Sequence, residues 1–247
     1  MKTTAVLTLS VWVVAGPLDL GLVGIPAPVT PLSAQPTTAS QPVYKPPRRG
    51  APGGRVGGAT RGHGAGTTTV AVLVPDHTGL TVQEQPTLYW FLSTPTTLPI
   101  EVTLIEANAV RPMLETRLPA PERPGVQRIS LADHGVRLVP GSTYKWYVAL
   151  VVDPNYRSKD ILAGGLIERV EQSAVRLEAM PGDPLTAPRI FADAGVWYDA
   201  IASISALIEH SPGDPLLRSQ RAALLEQVGL REIAEFDRRP GRQQGVR

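Results

Sequence analysis

The chain has 247 residues, of which 43% are hydrophobic and 19% are charged, and this balance predicts a soluble globular protein with a buried core. It contains no cysteine, which excludes disulfides, thiol catalysis and zinc sites built on cysteine. Residues 1–66 and 231–247 are net basic, whereas residues 67–230 are net acidic, so any contact with a polyanion is expected at the two ends.

The N-terminus has the features of an export signal. A positively charged start precedes an apolar run over residues 5–15, which is shorter than the roughly 20 residues of a membrane-spanning helix. The small residues Ser33 and Ala34 provide a cleavage site. The sequence therefore predicts a signal peptide over residues 1–34, cleavage near Ala34, no transmembrane span, and a periplasmic or extracellular protein. The alternative is a cytoplasmic N-terminus that happens to be apolar.

Residues 35–67 are rich in proline, glycine and arginine, and they predict a disordered linker because such a composition buries too little surface to offset the entropy of ordering. The segment is either a solvated tether or an arginine-glycine segment that binds polyanions. Export would take it away from nucleic acid and toward anionic envelope polymers or lipid head groups. The candidate polyanion-binding residues are Lys45, Arg48, Arg49, Arg55 and Arg61.

Residues 68–171 carry alternating apolar patterns separated by turn clusters, and no helical period lies between them. This pattern predicts an antiparallel β-sandwich of immunoglobulin-like type. About seven short strands are expected. They lie near residues 70–74, 88–92, 100–104, 113–118, 126–131, 143–152 and 161–170.

The strand at 143–152 is predicted to be central in its sheet because apolar side chains occupy both of its faces, with Trp146 on one and Tyr147 on the other. We expect the opposing sheet to cover one face and the helix that contains Trp197 to cover the other. The Gly164–Gly165 pair in the following strand predicts a bulge or a close backbone approach.

Two aromatic side chains on the strand at 88–92 allow two interpretations. Tyr89 and Phe91 lie on the face opposite Trp90. They either pack against the Trp197 helix or stand exposed as an aromatic platform for a sugar or a partner protein. The first interpretation is favoured, because that helix must bury its own apolar face.

Residues 172–236 change to a helical period. Asp214 as N-cap, Pro215 at the first helical position and Gly229 as a stop predict one helix. The loop at 211–213 is expected to join it to a preceding helix in an antiparallel hairpin, and residues 237–247 are expected to form a basic disordered tail. The preceding helix is predicted from an apolar stripe: Ile190, Ala194, Trp197, Ile201, Ile204 and Ile208.

A 34-residue spacing, the tetratricopeptide period, relates Gly195 to Gly229 and Ala200 to Ala234. Only about one and a half repeats fit, and such arrays usually need three for stability, so the helices are expected to dock on the sandwich or on a partner. Small, large and proline residues fall at the offsets that such repeats use: Gly195, Ala200, Ile204, Leu207 and Pro212.

Five stretches, taken together, resemble a known family. They are RGAPGGRVGGATRG, LVPDHTGLTVQEQPTLYWFLS, GSTYKWYVALVVDPNYRSKD, GGLIERVE and FADAGVWYDAIASISALIEHSPGDPLLRSQRAALLEQVGL. In this order, over roughly residues 48–232, the chain resembles the domain-of-unknown-function family number nine-two-eight, which is found mainly in cyanobacteria. The resemblance implies an exported sandwich followed by tetratricopeptide-like helices, and it brings no catalytic residue.

The sequence contains weak candidates for chemistry. Asp76-His77 and Asp133-His134 are residue types that can bind a metal or act as a base, but their spacing matches no ligand motif, so solvated turns are the favoured interpretation. The oxygens at 153, 155 and 160 lack the spacing of a calcium loop. We therefore expect no cofactor, no metal and no catalytic residue.

The sequence as a whole predicts an α+β protein, with an antiparallel immunoglobulin-like β-sandwich followed by a tetratricopeptide-like α-hairpin. The expected function is that of an exported, non-enzymatic interaction or scaffold protein that binds an envelope protein or an anionic envelope polymer. Polyanion binding through the basic segment is the alternative, and an unrecognised hydrolase is the second. The candidate partner-binding residues are Tyr198, Leu207, Arg218 and Arg221.

Overall fold

The computed structural model describes residues 41–47, 54–57, 68–174 and 184–239. The predicted signal peptide therefore lies outside the described residues. Within them, the strands are β1 (Val70–Val72), β2 (Gly79–Thr81), β3 (Thr87–Leu92), β4 (Ile100–Glu106), β5 (Leu114–Leu118), β6 (Gly125–Ser130), β7 (Thr143–Leu150) and β8 (Ile161–Arg169). The α-helices are α1 (Thr186–Asp193), α2 (Trp197–His210), α3 (Pro215–Gln227) and α4 (Arg231–Arg238).

The strands form two sheets, and all seven predicted strands are present. The larger sheet has the order β2-β8-β7-β4-β5, and the smaller has the order β1-β3-β6. β7 lies between β8 and β4, which confirms its predicted central position. Within β7 the side chains alternate between buried and half-buried, because Tyr144, Trp146 and Val148 face the core and the residues between them face outward.

The predicted close approach at the Gly164–Gly165 pair is confirmed. A Cβ added at Gly164 would lie 2.3 Å from the Tyr147 ring, and one at Gly165 would lie 2.6 Å from the Val74 side chain. The absence of a side chain at both glycines therefore lets Tyr147 and Val74 pack directly against the backbone of the strand.

One strand pair is parallel, so the prediction of a wholly antiparallel sandwich is wrong at that edge. β2 pairs with β8 in parallel, while the other ladders are antiparallel. The short segment at 73–78 carries the chain from β1 in the smaller sheet to the edge of the larger sheet. β2 thus reaches that edge already running in the direction of β8.

The expectation that the Trp197 helix covers the outer face of β7 is also wrong. Trp146 and Gly165 share the face of the larger sheet that packs against Val74, beside β1. The Trp146 indole donates to the Tyr198 hydroxyl of α2 at 2.8 Å, so α2 meets the larger sheet on this inner face. Tyr147, on the outer face, remains half-buried.

The helices instead pack on the outer side of the smaller sheet. Tyr89 and Phe91 are buried there, and the Phe91 ring meets the Phe236 ring of α4 edge-on at 5.0 Å between centroids. The interpretation of these two rings as an intramolecular interface is therefore confirmed, although the helix that meets the Phe91 ring is α4, whereas the prediction named the Trp197 helix. Strands and helices share one hydrophobic cluster, and the described residues belong to one compact unit.

The predicted apolar stripe over 190–208 is divided between two helices. Gly195 separates α1 from α2. It adopts φ +77°, a backbone conformation that residues with a side chain disfavour. Gly229 adopts φ +78° between α3 and α4, so the 34-residue spacing places two equivalent breaks. The predicted start of α3 is confirmed, since Asp214 accepts a hydrogen bond from the Leu216 amide at 2.8 Å.

Both predicted disordered ends are partly ordered. Residues 41–47 and 54–57 of the predicted linker contact the folded unit through backbone hydrogen bonds. The predicted tail begins at residue 237, yet α4 extends to Arg238 and residues 240–247 lie outside the described part. In the part of the chain that the structure describes, no helix has the length and apolar content needed to cross a membrane.

Candidate functional site

Two of the four candidate partner-binding residues lie inside the fold. Tyr198 is 3% exposed, and its hydroxyl donates to the Leu166 carbonyl at 3.0 Å while accepting from Trp146. Burial raises the pKa of the Tyr198 phenol far above its usual range, so the ring acts as a neutral core residue. Tyr198 is therefore a core residue and is not accessible to a partner, because its ring lies between α2 and the larger sheet.

Arg221 is also buried, at 4% exposure, and it connects three helices. Its Nε and Nη2 atoms donate to the two carboxylate oxygens of Asp237, each at 2.7 Å, and its Nη1 donates to the Ser205 hydroxyl at 3.0 Å. Such a bidentate pair satisfies both charges away from water. Arg221 therefore holds α2, α3 and α4 together and is not accessible to a partner.

The other two candidates remain partly accessible. Leu207 is half-exposed on α2 and packs beside the core. The Arg218 guanidinium lies 3.4 Å from the Pro212 carbonyl and 3.5 Å from an Asp237 carboxylate oxygen, at the edge of the buried pair. These positions can contact a partner without unfolding the helices.

The structure describes two of the five candidate polyanion-binding residues, and the two have different surroundings. Lys45 forms an ion pair with Asp193, and both side chains are 62% exposed. Arg55 turns inward, where its Nη1 donates to the carbonyls of Val74 and Val228, each at 3.0 Å. Arg55 thus connects the strand region to the end of α3. Arg48, Arg49 and Arg61 lie outside the described residues.

Residues 41–47, which we call the strap, cross the C-terminal ends of α1 and α3. The Gln227 side chain accepts from the Tyr44 amide at 2.8 Å and donates to the Pro42 carbonyl at 2.9 Å. The Lys45 amide donates to the Ala192 carbonyl at 3.0 Å. Sequence analysis missed this contact because a proline-rich composition carries no signal for one docked aromatic side chain.

A groove lies between the smaller sheet and α4, and we call it the α4 groove. It has a volume of about 420 Å³. Its floor includes the Phe91–Phe236 ring pair and the apolar side chain of Ile233, while Arg231 and Arg239 lie exposed at its rim. The lining residues are Thr69, Ala71, Phe91, Ser93, Gly229, Leu230, Arg231, Glu232, Ile233, Phe236 and Arg239.

The composition of the α4 groove determines what it can bind. Aromatic and aliphatic side chains favour an apolar group of a ligand, and exposed guanidinium groups favour a carboxylate beside it. Glu232 supplies a single negative charge among the lining residues, against the two arginines. The geometry therefore suits a polypeptide segment with an apolar anchor next to an acidic residue.

Asp199 is a buried carboxylate in the first turn of α2. One of its oxygens accepts from the Val82 amide at 3.3 Å, at the end of β2, and the other has no hydrogen-bond partner among the described atoms. Burial raises the pKa of Asp199 to about 6, because desolvation penalises the charged form. Hydrogen bonds from Thr81 and Val82 oppose this rise only in part.

The raised pKa predicts a pH dependence of stability. Between about pH 4 and pH 6 the folded chain holds a proton that the unfolded chain releases, so stability falls as pH rises through this window. A shift of about two pKa units corresponds to about 3 kcal/mol. We expect Asp199→Asn to remove this part of the slope in urea unfolding curves measured across the window. Asp133→Asn, at an exposed carboxylate, is the matched control, and a slope unchanged by Asp199→Asn would contradict the assignment.

The two Asp-His pairs are placed differently. His77 is hydrogen-bonded through Nε2 to the Tyr44 hydroxyl at 2.9 Å, whereas His134 is exposed in a short 3₁₀ helix at 132–134. Among the described residues, no group of three or more His, Cys, Asp or Glu is arranged to hold a metal ion.

The loop that follows β7 is closed by its own hydrogen bonds. Asp153 accepts from the Asn155 amide at 3.0 Å and pairs with Lys159 at 3.1 Å. Asp160 accepts from the Val152 amide at 3.2 Å. The two carboxylates considered for calcium, Asp153 and Asp160, therefore have partners within the loop.

The fold defines an α+β protein in which two packed sheets carry four helices, with an open groove between sheet and helix. The chain belongs to the family described as Domain of Unknown Function (DUF928), whose model matches residues 56–237. A comparison with the curated proteins gives no match. One matching solved structure is a multi-domain immunophilin from Arabidopsis thaliana, with 9% identity over 64% of this chain and 96% of that chain. The TM-score is 0.15, so this match does not indicate a shared fold.

Proposed function

We propose that the chain is an exported, non-enzymatic interaction protein that docks a partner polypeptide through its C-terminal helices. In this proposal the signal peptide at 1–34 directs export, the sheets form a rigid scaffold, and the helices present the binding surface. The partner is an envelope protein, recognised by a segment that carries an apolar side chain next to an acidic one.

The proposal assigns the sheets to an immunoglobulin-like arrangement and the helices to tetratricopeptide-like pairs. Two observations support the second assignment. α2 and α4 begin 34 residues apart, at Trp197 and Arg231, and each follows a glycine with positive φ. In such pairs the small residues allow close helix packing, and Ala200 and Ala234, at equivalent positions, are both fully buried.

The single observation that carries the proposal is the open α4 groove. The apolar faces of the helices are otherwise used against the sheets, where Trp197, Ile201 and Ile204 are buried. The groove is where apolar lining and exposed cationic side chains occur together at the junction of sheet and helix. A rigid surface of this kind binds by shape and charge without a reaction.

The buried ionisable groups support a non-enzymatic role, because they hold elements together. Asp199 joins α2 to the end of β2, and Arg221 with Asp237 joins three helices. These groups do not line the α4 groove.

Polyanion binding through the basic segment is the alternative proposal. Its case rests on Arg48, Arg49 and Arg61, since Lys45 pairs with Asp193 and Arg55 is used inside the fold. Binding of this kind must weaken with salt because it releases counterions. A heparin affinity that does not change with salt would remove this alternative.

Capture from envelope extract tests the leading proposal. A variant that lacks the helices is an unsuitable control, because it also lacks the core residues Trp197 and Tyr198. We expect the double variant Arg231→Glu with Arg239→Glu to lose at least about 10-fold of the captured partner, since it reverses the charge of the groove rim.

The matched control makes the same change of charge elsewhere on the surface. Arg111 and Arg123 are exposed, and they lie on either side of β5, outside the residues that line the groove. Arg111→Glu with Arg123→Glu should capture the partner as the parent does. Equal capture by both double variants would contradict docking at the α4 groove.

A further inference from the structure

We propose that the C-terminal ends of α1 and α3 form a recognition site for an extended Pro-x-Tyr-Lys segment of polypeptide, and that the strap fills this site in cis. The inference deepens the proposed docking function by naming a second peptide site on the helices. It does not depend on the α4 groove, because the strap itself displays the chemistry of the ligand.

The ends of α1 and α3 hold the strap through its backbone. The Gln227 amide bonds both the Tyr44 N–H and the Pro42 carbonyl, and the Ala192 carbonyl accepts from the Lys45 N–H. Hydrogen bonds to main-chain groups recognise an extended segment whatever its side chains are. The end of each of the two helices therefore contributes a contact that another polypeptide can reproduce.

The side chains of the strap alternate between buried and exposed positions. Pro42 and Tyr44 are buried, whereas Gln41, Val43 and Lys45 are exposed. Such a segment is read through its alternate side chains, as in other modes of extended-peptide recognition. Position 44 and position 42 thus supply specificity, and position 43 is free to vary.

The pocket for Tyr44 is formed by α2 together with the segment between β1 and β2. The Tyr44 ring meets the Trp197 ring edge-on at 4.8 Å and lies parallel to the His77 ring at 5.9 Å between centroids. Its hydroxyl is hydrogen-bonded to His77 Nε2 at 2.9 Å. An aromatic ring with a polar tip fits this pocket, and a phenylalanine would leave the hydrogen bond unmade.

Two neighbouring features extend the recognition to the residue after the tyrosine. Asp193 pairs with Lys45, which favours a basic residue at that position. Gly195 has no side chain, and a Cβ there would lie 2.8 Å from the Lys45 carbonyl oxygen. The site therefore admits the backbone of an extended segment where a larger residue would block it.

On its C-terminal side, the strap leads to a second segment that is anchored on the fold. Only residues 48–53 separate it from residues 54–57, where Val56 pairs with Gly164 at the edge of β8. A short tether gives an effective concentration on the order of 1 mM. For an intrinsic Kd of about 10 μM, the tethered strap then weakens the apparent affinity of a separate peptide by about 100-fold.

A labelled peptide of residues 40–49 tests the inference on the full mature chain. We expect it to bind the Tyr44→Ala chain at least about 10-fold more tightly than the parent chain in fluorescence anisotropy, because the tethered competitor is weakened. The same peptide with Tyr44→Ala should lose this binding. Adding Gln227→Ala to the Tyr44→Ala chain should also weaken binding of the labelled peptide, since it removes the side chain that hydrogen-bonds the backbone at positions 42 and 44.

Equal binding of the two peptides, or no binding to a Tyr44→Ala chain that circular dichroism shows to be folded, would overturn the inference. A second preparation decides the matter if Tyr44→Ala does not fold. A protease site inserted between residues 50 and 51 allows the tether to be cut in the folded parent. We expect the cut chain to exchange its strap for the labelled peptide while the uncut chain does not.

Retention of the cut strap against excess peptide, or unfolding of the chain once the strap is lost, would show that residues 41–47 are only a structural part of the core. Either result overturns the inference. A negative result here leaves the capture experiment at the α4 groove unaffected, because Arg231→Glu and Arg239→Glu alter a different surface. The two proposals can therefore fail separately.

Discussion

Replacement of Arg221 by alanine is expected to lower the free energy of unfolding by about 3 to 5 kcal/mol, because it leaves the Asp237 carboxylate buried without its counter-ion. Both side chains are almost fully buried, and their two 2.7 Å contacts supply the bidentate pair. The Ser205 hydroxyl loses its guanidinium donor at the same time. Urea unfolding at neutral pH measures the effect.

Asp237→Ala should cost a similar amount, and the two changes together should cost less than their sum, because each already breaks the same pair. Arg218→Ala is the matched control. Its guanidinium is half-exposed and lies 3.5 Å from Asp237, so we expect a loss below about 1 kcal/mol. Equal losses for Arg218→Ala and Arg221→Ala would contradict the central position assigned to Arg221.

Trp197→Ala is expected to destabilise the chain by about 3 to 5 kcal/mol through the cavity that it leaves. The indole is fully buried, donates to the Leu73 carbonyl at 2.8 Å, and packs against the Tyr44 ring. Loss of the indole also leaves that carbonyl without this donor. Because these contacts join α2 to the strands, we expect strands and helices to unfold in a single transition.

Far-ultraviolet circular dichroism, followed at helical and at strand wavelengths, measures that transition. Tyr156→Ala is the control, since its ring is 61% exposed on the loop after β7, and it should change stability little. Helical signal that melts before the strand signal in the parent chain would contradict the shared core.

β4 and β7 could be predicted well from the sequence because buried and half-buried side chains alternate along most of their length. Trp146 and Val148 are fully buried, while Lys145 and Tyr147, which precede them, are half-buried. β2 was missed because Gly79–Thr81 is only three residues long, too short to show a period. Its parallel pairing depends on where the preceding turn delivers the chain, which no local pattern encodes.

The helical region was predicted in kind but not in number. The apolar stripe from Ile190 to Ile208 continues across Gly195, so spacing alone did not reveal the break. The period related Gly195 to Gly229, and their positive φ values show that both positions are helix breaks. A glycine within a regular apolar stripe is therefore the signal that could have located the additional helix.

The candidate site was harder to predict, since its residues are brought together from distant parts of the chain. Arg221 lies among apolar residues of α3, between Leu217 and Leu224, and a charge in that place is a signal for a buried partner. Tyr44 gave no such signal within its proline-rich segment. The α4 groove combines β1, β3 and α4, and only the packing of the helices on the smaller sheet creates it.

Site-specific photo-crosslinking in cells tests most directly the claim that the helices dock a partner polypeptide at the α4 groove. A photo-reactive side chain at Glu232 lies at the groove, and one at Glu115 on exposed β5 is the control. We expect an adduct with a second polypeptide from position 232, absent from position 115 and suppressed by Arg231→Glu with Arg239→Glu. The same adducts from both positions, or none from position 232, would contradict docking at the α4 groove.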